Sequence, residues 1–399
     1  MYKLLSVAVA ALAATTVLFT GPVSADHRPG NVVVMGGTLS LTGRYAVASG
    51  LMLEGRKLYV DELNARGGLL GHTVVLKTYD DKSKKRPAIE LYEKLITEDK
   101  VDLVLGPYSS RLTDPVANVM ERYRQPFVAY ATAPVIFQRG RKYVFSQPTP
   151  VGTDRAEGLL RVAKKIGMKR IALIGRAHKS GRNVLVGAQK WAKKLGLDVV
   201  LAERFKRKQT DYIAVLQRIK ASGAEAIIAN ANFYESIPMI RQLRELNINV
   251  KMLGMLQHAQ LSQFTEGLGS LAEYVVGYAS WWPDPVLGYP GIKEFVEKYQ
   301  KRHGKLPTYH VTYGYSGLQI MEAAVKEAGS FDPEKMREAL ATISVHTIRG
   351  LFKPNEQGMS PIESVAFQIQ NGKRLLVWPE HVVQTKVLLM PKWEDRAKK

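Results

Sequence analysis

Short runs of β-branched and aliphatic residues alternate with helical patterns along most of this chain, and that alternation limits its fold more than any other feature. The runs lie at 32–37, 73–79, 101–106 and 127–129, and then at 171–175, 199–202, 226–229 and 252–255. Strands that take turns with helices predict parallel sheets sandwiched by helices. Between the first two runs, Met52, Gly55, Tyr59 and Leu63 recur at helical spacing, and Gly67-Gly68 stops the pattern as a glycine C-cap. Two breaks interrupt the series, "SQPTPVG" at 146–152 and "WWPDPVLGYPG" at 281–291. Their prolines fit segments that cross between lobes. Beyond them come helical stretches at 291–303 and 310–328, then strands at 363–370 and 373–379. Two α/β lobes joined by three crossings follow.

Length agrees with two lobes. The sequence has 399 residues, 46% of them apolar, which is more than one hydrophobic core ordinarily serves. Its first residues, "MYKLLSVAVAALAATTVLFTGPVSAD", carry Lys3, an uncharged apolar run, and small residues at Val23 and Ala25. This is the pattern of a secretory leader cut after Ala25. No later stretch has the roughly 20 uninterrupted apolar residues of a membrane span. Without cysteine there are no disulfides, thiolate metal sites or lipid-modified N-terminal Cys. Lys and Arg number 57 against 36 acids, a net charge of +21 that favours anionic partners. The clusters "KSKKR" (82–86) and "RFKRK" (204–208) lack recurring aromatic interleaving and read as solvated faces, so nucleic acid is not an expected partner.

Enzyme signatures do not form. "GYSG" (314–317) lacks the spacing of a nucleophile elbow and lies in a helical pattern, "GRAHKSG" (175–181) is too short for a P-loop, and "GLGSLA" (267–272) does not follow a strand. The histidines show no metal-binding spacing, and Asp80-Asp81 reads as a cap or a cation contact rather than a catalytic pair. No cofactor or metal is expected.

Polar turns do accumulate where strands end: "LSLTG" after the first, "GPYSSRLTDP" after the third and "YATAP" after the fourth. Ligands of open α/β sheets bind outside the carboxyl ends of strands, near helix N-termini. Ser109, Ser110 and Thr132 therefore become candidate donors to one carboxylate, with Asp114-Pro115 opening the helix behind them. In "LSLTGRYAVASG" (39–50), Ser40 or Thr42 either caps the following helix across a turn relaxed by Gly43, or joins helix N–H groups in a small anion cradle.

The stretches "LTGRYA", "YVDELNARGGLLG", "VVLKTYDD", "LYEKLITEDKVDLVLGPYSS", "FVAYATAP", "KYVFSQPTP", "YPGIKEFVEKYQKRHGKLPTYH" and "RGLFKPNEQG" stand in an order and spacing that resemble the type I periplasmic solute-binding proteins of ABC transporters. Within them the resemblance is to the branched-chain amino acid and amide-binding family. The resemblance covers nearly the whole chain after the leader. It implies two Rossmann-like lobes in a Venus-flytrap arrangement, with 26–148 and 282–349 in lobe 1 and 149–281 and 350–399 in lobe 2. It implies no catalysis, but capture of a small carboxylate by a periplasmic monomer of a Gram-negative bacterium and delivery to an inner-membrane ABC permease. Ser110 and Thr132 match the residues that hold the ligand carboxylate, Tyr130 and Ala131 match backbone contributors, and Tyr45 would form an aromatic wall.

Departures from the amino-acid binders fall on the second lobe. Ser180 and Phe233 stand where those proteins have tyrosines, and Leu256, Gln257 and His258 occupy the region of the Glu that holds the ligand ammonium. An aromatic or other hydrophobic acid without an α-ammonium group is therefore the expected ligand, with Tyr45, Tyr108, Tyr130, Phe233 and Trp281 as candidates to surround its ring. The alternatives are a hydrophobic amino acid or amide, with Glu235 or Glu266 replacing the missing acid, and a ligand-sensing receptor domain on the same fold.

Overall fold

The computed structural model describes residues 31–177, 179–256 and 258–396, apart from the side chains of residues 179 and 180. The expected leader and Gln257 lie outside the described residues. Strands β1 (Val32–Leu39), β2 (Thr73–Asp80), β3 (Leu103–Tyr108), β4 (Phe127–Tyr130) and β5 (Val144–Ser146) form a first sheet in the order β2-β1-β3-β4-β5. Every pair in it is parallel. Helices α1 (Ala46–Ala65), α2 (Lys85–Thr97) and α3 (Ser110–Tyr123) make the crossovers. On one face of this sheet Tyr92, Val116, Met120 and Phe127 close a core.

The second sheet takes β6 (Arg170–Arg176), β7 (Asp198–Phe205), β8 (Ala226–Asn230), β9 (Met252–Met255) and β10 (Val276–Ala279), all parallel. Its helices are α4 (Glu157–Lys165), α5 (Lys179–Lys194), α6 (Ile213–Ser222), α7 (Phe233–Glu245) and α8 (Ser262–Leu268). Strand β8 is buried along its whole length, as a central parallel strand covered on both faces must be. The chain then returns to the first sheet through α9 (Ile292–His303), α10 (Tyr309–Ala328) and α11 (Pro333–Thr342). A hairpin of β11 (Val345–Thr347) and β12 (Gly350–Phe352) follows, and β13 (Val365–Gln370) with β14 (Lys373–Trp378) adds an antiparallel edge to the second sheet. The last residues strap that sheet: Leu388 N donates to Gln368 Oε1 (2.8 Å), Met390 N to Lys251 O (2.8 Å), and Trp393 Nε1 to Ile248 O (2.9 Å). The short helix α12 (Trp393–Arg396) ends the description.

Local chemistry explains the boundaries. Helix α1 stops in a Schellman motif: Gly67 N donates to Asn64 O (3.1 Å) and Gly68 N to Leu63 O (2.9 Å), with both glycines at positive φ. Gly55 on α1 and Gly314 on α10 let these helices touch backbone to backbone. A Cβ on Gly55 would collide with the Val311 carbonyl, and one on Gly314 with the Met52 carbonyl. The same small-residue run explains "GYSG" as packing, since Ser316 Oγ donates to Gln147 Oε1 (2.8 Å) and Gly317 leaves room for the Gln147 amide.

Three stretches join the sheets: between β5 and α4, between β10 and α9, and between β12 and β13. The third runs beside the first, with Ser146 N donating to Gly358 O (2.8 Å) and Ile362 N to Thr149 O (3.3 Å). Arg349 pins them together. Fully buried, it donates from Nε to Pro148 O (3.2 Å), from Nη1 to Thr312 Oγ1 (2.6 Å) and from Nη2 to Ser280 O (3.2 Å), and its guanidinium lies 3.5 Å from the Tyr313 ring centroid. Trp281, expected as a candidate ring contact, instead packs in the core beside Phe295 and donates to Ile348 O (2.7 Å).

Candidate ligand-binding site

Each half of the site starts at a strand's carboxyl end. After β1, the hydroxyls of Ser40 and Thr42 do not cap α1 but donate to carboxylates of the chain itself. Ser40 Oγ donates to Asp81 Oδ1 (2.5 Å), Thr42 Oγ1 donates to Asp80 Oδ2 (2.7 Å), and Thr38 Oγ1 donates to Asp81 Oδ2 (2.8 Å). Asp80-Asp81 thus ties the ends of β1 and β2 into one ledge: the expected cap is not made, and the turn's N–H groups and Thr42 hydroxyl cradle the Asp80 carboxylate, with Leu41 N and Thr42 N donating to Asp80 Oδ1 at 2.9 and 3.2 Å. Burial pushes the Asp81 carboxyl above its usual range, against the pull of these hydroxyls. The α1 terminus is served from elsewhere, by Ser83 Oγ accepting from Tyr45 N (3.1 Å).

After β3, Ser109 adopts φ 82° and ψ 143°, a region that L-residues avoid, and α3 begins at Ser110. Asp114-Pro115 therefore lies inside the helix rather than opening it. Asp114 holds Arg139 Nη1 (2.9 Å) and Arg141 Nη1 (3.0 Å). The Ser109 hydroxyl is buried with no hydrogen-bond partner. Ser110 Oγ accepts from Thr132 N (3.0 Å) and Ala133 N (3.2 Å), bracing the turn after β4. Thr132 Oγ1 accepts from Arg155 Nη2 (3.2 Å). A hydroxyl that already accepts turns its own proton outward. Ser110 and Thr132 thus present two O–H donors side by side, backed by the Arg155 cation.

These residues line a cleft of about 700 Å³. The first sheet contributes Arg44, Tyr45, Lys85, Ser110, Arg111 and Thr132, the first crossing contributes Thr153 and Arg155, and the second sheet contributes Arg176, Asn183 and Arg207. Lys85 and Arg207 come from the two basic clusters read as solvated faces, and each is exposed while lining the cleft. Behind the cleft lies a packed aromatic floor: Tyr45 meets Tyr108 edge-on (5.3 Å), Tyr108 stacks on Tyr130 (5.2 Å), and Tyr130 meets Tyr313 (3.9 Å). Tyr108 OH and His310 Nε2 are 3.2 Å apart, and burial pushes the His310 imidazole down to about 3, so the ring stays neutral there.

Of the residues singled out in the sequence, Tyr45, Ser110 and Thr132 meet in the cleft, while Tyr130 forms its floor and Ala131 is buried behind it. Phe233 sits at the start of α7 against Tyr234, outside this lining. Ser180 is the second residue of α5, and its side chain is not described. Glu235 is buried and fully engaged: Oε1 accepts from Lys208 N (3.1 Å), Oε2 accepts from Asn232 N (3.1 Å), and Oε2 pairs with Arg176 Nε (3.0 Å). Glu266 is exposed on α8. Arg155 was not legible in advance, because "VGTDRAEG" carries no motif and reads only as a crossing.

A model of the family described as "Periplasmic binding protein" matches residues 32–373. An amino acid binding protein of Pseudomonas aeruginosa is 27% identical over 82% of this chain and 87% of its own length. Among solved structures, a leucine-binding protein of Thermotoga maritima superposes with a TM-score of 0.72 at 23% identity, covering 87% of this chain and 98% of that one. A solute-binding protein of an ABC transporter from R. palustris, in complex with benzoate, superposes with a TM-score of 0.70 at 20% identity over 87% of this chain and 95% of that one. With its paired α/β sheets, three crossings and a cleft at the strand ends, this chain belongs to the periplasmic binding protein family.

Proposed function

We propose that this protein is the substrate-binding component of an ABC importer and captures a small carboxylate lacking an α-ammonium group, an aromatic or other hydrophobic acid, between its lobes. The observation that carries the reading is the paired hydroxyls of Ser110 and Thr132 backed by Arg155, in a lining whose one carboxylate, Asp114, is already held by two arginines. A buried ammonium needs an anionic partner, since a desolvated unpaired charge is costly. Glu235 has its oxygens engaged, and Glu266 faces solvent. The benzoate carried by the R. palustris relative agrees with an acid of this kind. The lobes would be residues 26–148 with 282–349 and residues 149–281 with 350–399, hinged at the crossings, and the captured acid would pass as a monomeric complex to the permease.

A hydrophobic amino acid is the second reading, favoured by the amino acid binding protein of P. aeruginosa and the leucine-binding protein of T. maritima. Calorimetry separates the two. Leucine and phenylalanine are titrated beside benzoate and cinnamate, and the acids are expected to bind while the amino acids do not. Submicromolar binding of an amino acid with no binding of either acid would overturn the first reading.

A further inference from the structure

The cleft carries more positive charge than one carboxylate uses. Of its basic residues, Arg176 alone has a carboxylate within ion-pair reach among the described residues, the buried Glu235 at 3.0 Å. Arg155 stands behind Thr132, and its Nε is buried without a hydrogen-bond partner. Arg44 and Lys85 lie on the first lobe's rim of the cleft, and Arg207 lies on the opposite rim. All three are exposed, and none has an acidic partner among the described residues. Arg44 lies over the Tyr45 ring, 4.4 Å from its centroid, which leaves the guanidinium at the edge of the aromatic wall. At about 700 Å³ the cleft is also in the range of pockets that enclose drug-sized molecules, well beyond what a single-ring acid fills. Like charges gathered on two facing rims repel each other as the lobes approach, so closure on a monoanion would leave the outer group of cations unneutralised.

We propose that the ligand is a dianion, an elongated aromatic acid whose first carboxylate sits on Ser110, Thr132 and Arg155 and whose second anionic group lies between the Arg44 and Lys85 rim and the Arg207 rim. The inference rests on the carboxylate reading above and adds the ligand's second charge. The second group does two things. It neutralises cations contributed by both lobes, and it gives each lobe a charged contact that exists only when the cleft is closed around the ligand.

The test compares benzoate with terephthalate, which differ by the second carboxylate, on the full mature chain by calorimetry at low ionic strength. Terephthalate is expected to bind about tenfold more tightly or better, equivalent to about 1.4 kcal/mol. In Lys85→Gln/Arg207→Gln that advantage should fall to about twofold or less, because terephthalate should lose affinity at both of its charges' surroundings and benzoate only the weaker long-range attraction of two exposed cations to its single carboxylate. Raising salt should erode the terephthalate advantage in the parent protein, as it does for exposed charge pairs. Benzoate binding as tightly as terephthalate, or a preference for terephthalate that survives the double substitution, would overturn the inference while leaving the carboxylate reading standing. Binding of leucine with neither acid would remove both.

Discussion

Two hydroxyls in the cleft do different work, and single substitutions should separate them. Thr132→Val removes one outward O–H donor and the acceptor for Arg155 Nη2 but leaves the turn's backbone bonds to Ser110 in place, so it should weaken carboxylate binding by about 1.5–3 kcal/mol, the range for a hydrogen bond to a charged group. Ser110→Ala removes a donor and also the acceptor for Thr132 N and Ala133 N. It should weaken binding at least as much and lower the melting temperature more than Thr132→Val does, since it frees two backbone N–H groups where the other variant frees one guanidinium N–H. Calorimetry and thermal denaturation of both variants check this. Normal binding by both would mean that the carboxylate is held elsewhere. His310 supplies a pH dependence whose sign is fixed. Its folded value of about 3 lies below the ~6.5 of an unfolded histidine, so the unfolded chain takes up a proton first as pH falls. Stability present above ~6.5 is therefore lost progressively toward pH 3, by about 2 kcal/mol at pH 5. Burial and the nearby Arg176 depress His258 in the same direction. Urea midpoints at pH 7 and pH 5 should draw closer together in His310→Gln. An unchanged gap would show that His310 is not the group responsible.

At the scale of elements, α1 and α10 are joined through the absence of side chains. Gly55 and Gly314 each face the other helix's carbonyls, and α10 carries Tyr309, His310 and Tyr313 into the aromatic floor. Gly314→Ala must therefore either part the helices or push that floor toward the cleft. It should cost about 1–3 kcal/mol, as overpacking does, and a denaturation midpoint within error of the parent would refute the close approach. The sequence allowed Gly55 to be placed on a helical stripe and "GYSG" to be excluded as a nucleophile elbow, but not the contact between them, because nothing local encodes which distant helix a glycine meets. Length governed what else was legible. The eight apolar runs recognised from the sequence all became strands, whereas β10, which directly follows a turn and a short helix, went unread, and β5, β11 and β12 are too short to show a period of two. Ser110 and Thr132 announced themselves as polar residues at strand ends. Arg155, Lys85 and Arg207 did not, since a basic residue looks the same in sequence whether it faces water or a cleft.

At the scale of the whole molecule, Arg349 concentrates the connections between lobes on one side chain, bonded to a carbonyl of the first crossing and a carbonyl of the second while standing just ahead of the third. Arg349→Met would leave the Pro148 and Ser280 carbonyls without this donor and take from Thr312 Oγ1 the bond it accepts, while that hydroxyl keeps its own donation to Tyr309 O (2.8 Å). A loss of about 3–5 kcal/mol is expected from these buried groups together. Scattering measurements should show the parent compacting when an acid binds, and the variant doing so less or not at all at equal occupancy. Compaction of the variant equal to that of the parent would remove Arg349 from the hinge. The crossings have another consequence, which concerns the order in which the polypeptide is made. The first sheet's helical layer waits for α10, and the second sheet's edge waits for β13, β14 and the strap that ends near Trp393. Domains fold as units once their parts have emerged from the ribosome. Neither half of this protein has all its parts until α10 and the strap near Trp393 have been made, so the parallel strands of both sheets wait long after their own synthesis, and a nascent chain of this design stays threadable through a narrow pore meanwhile.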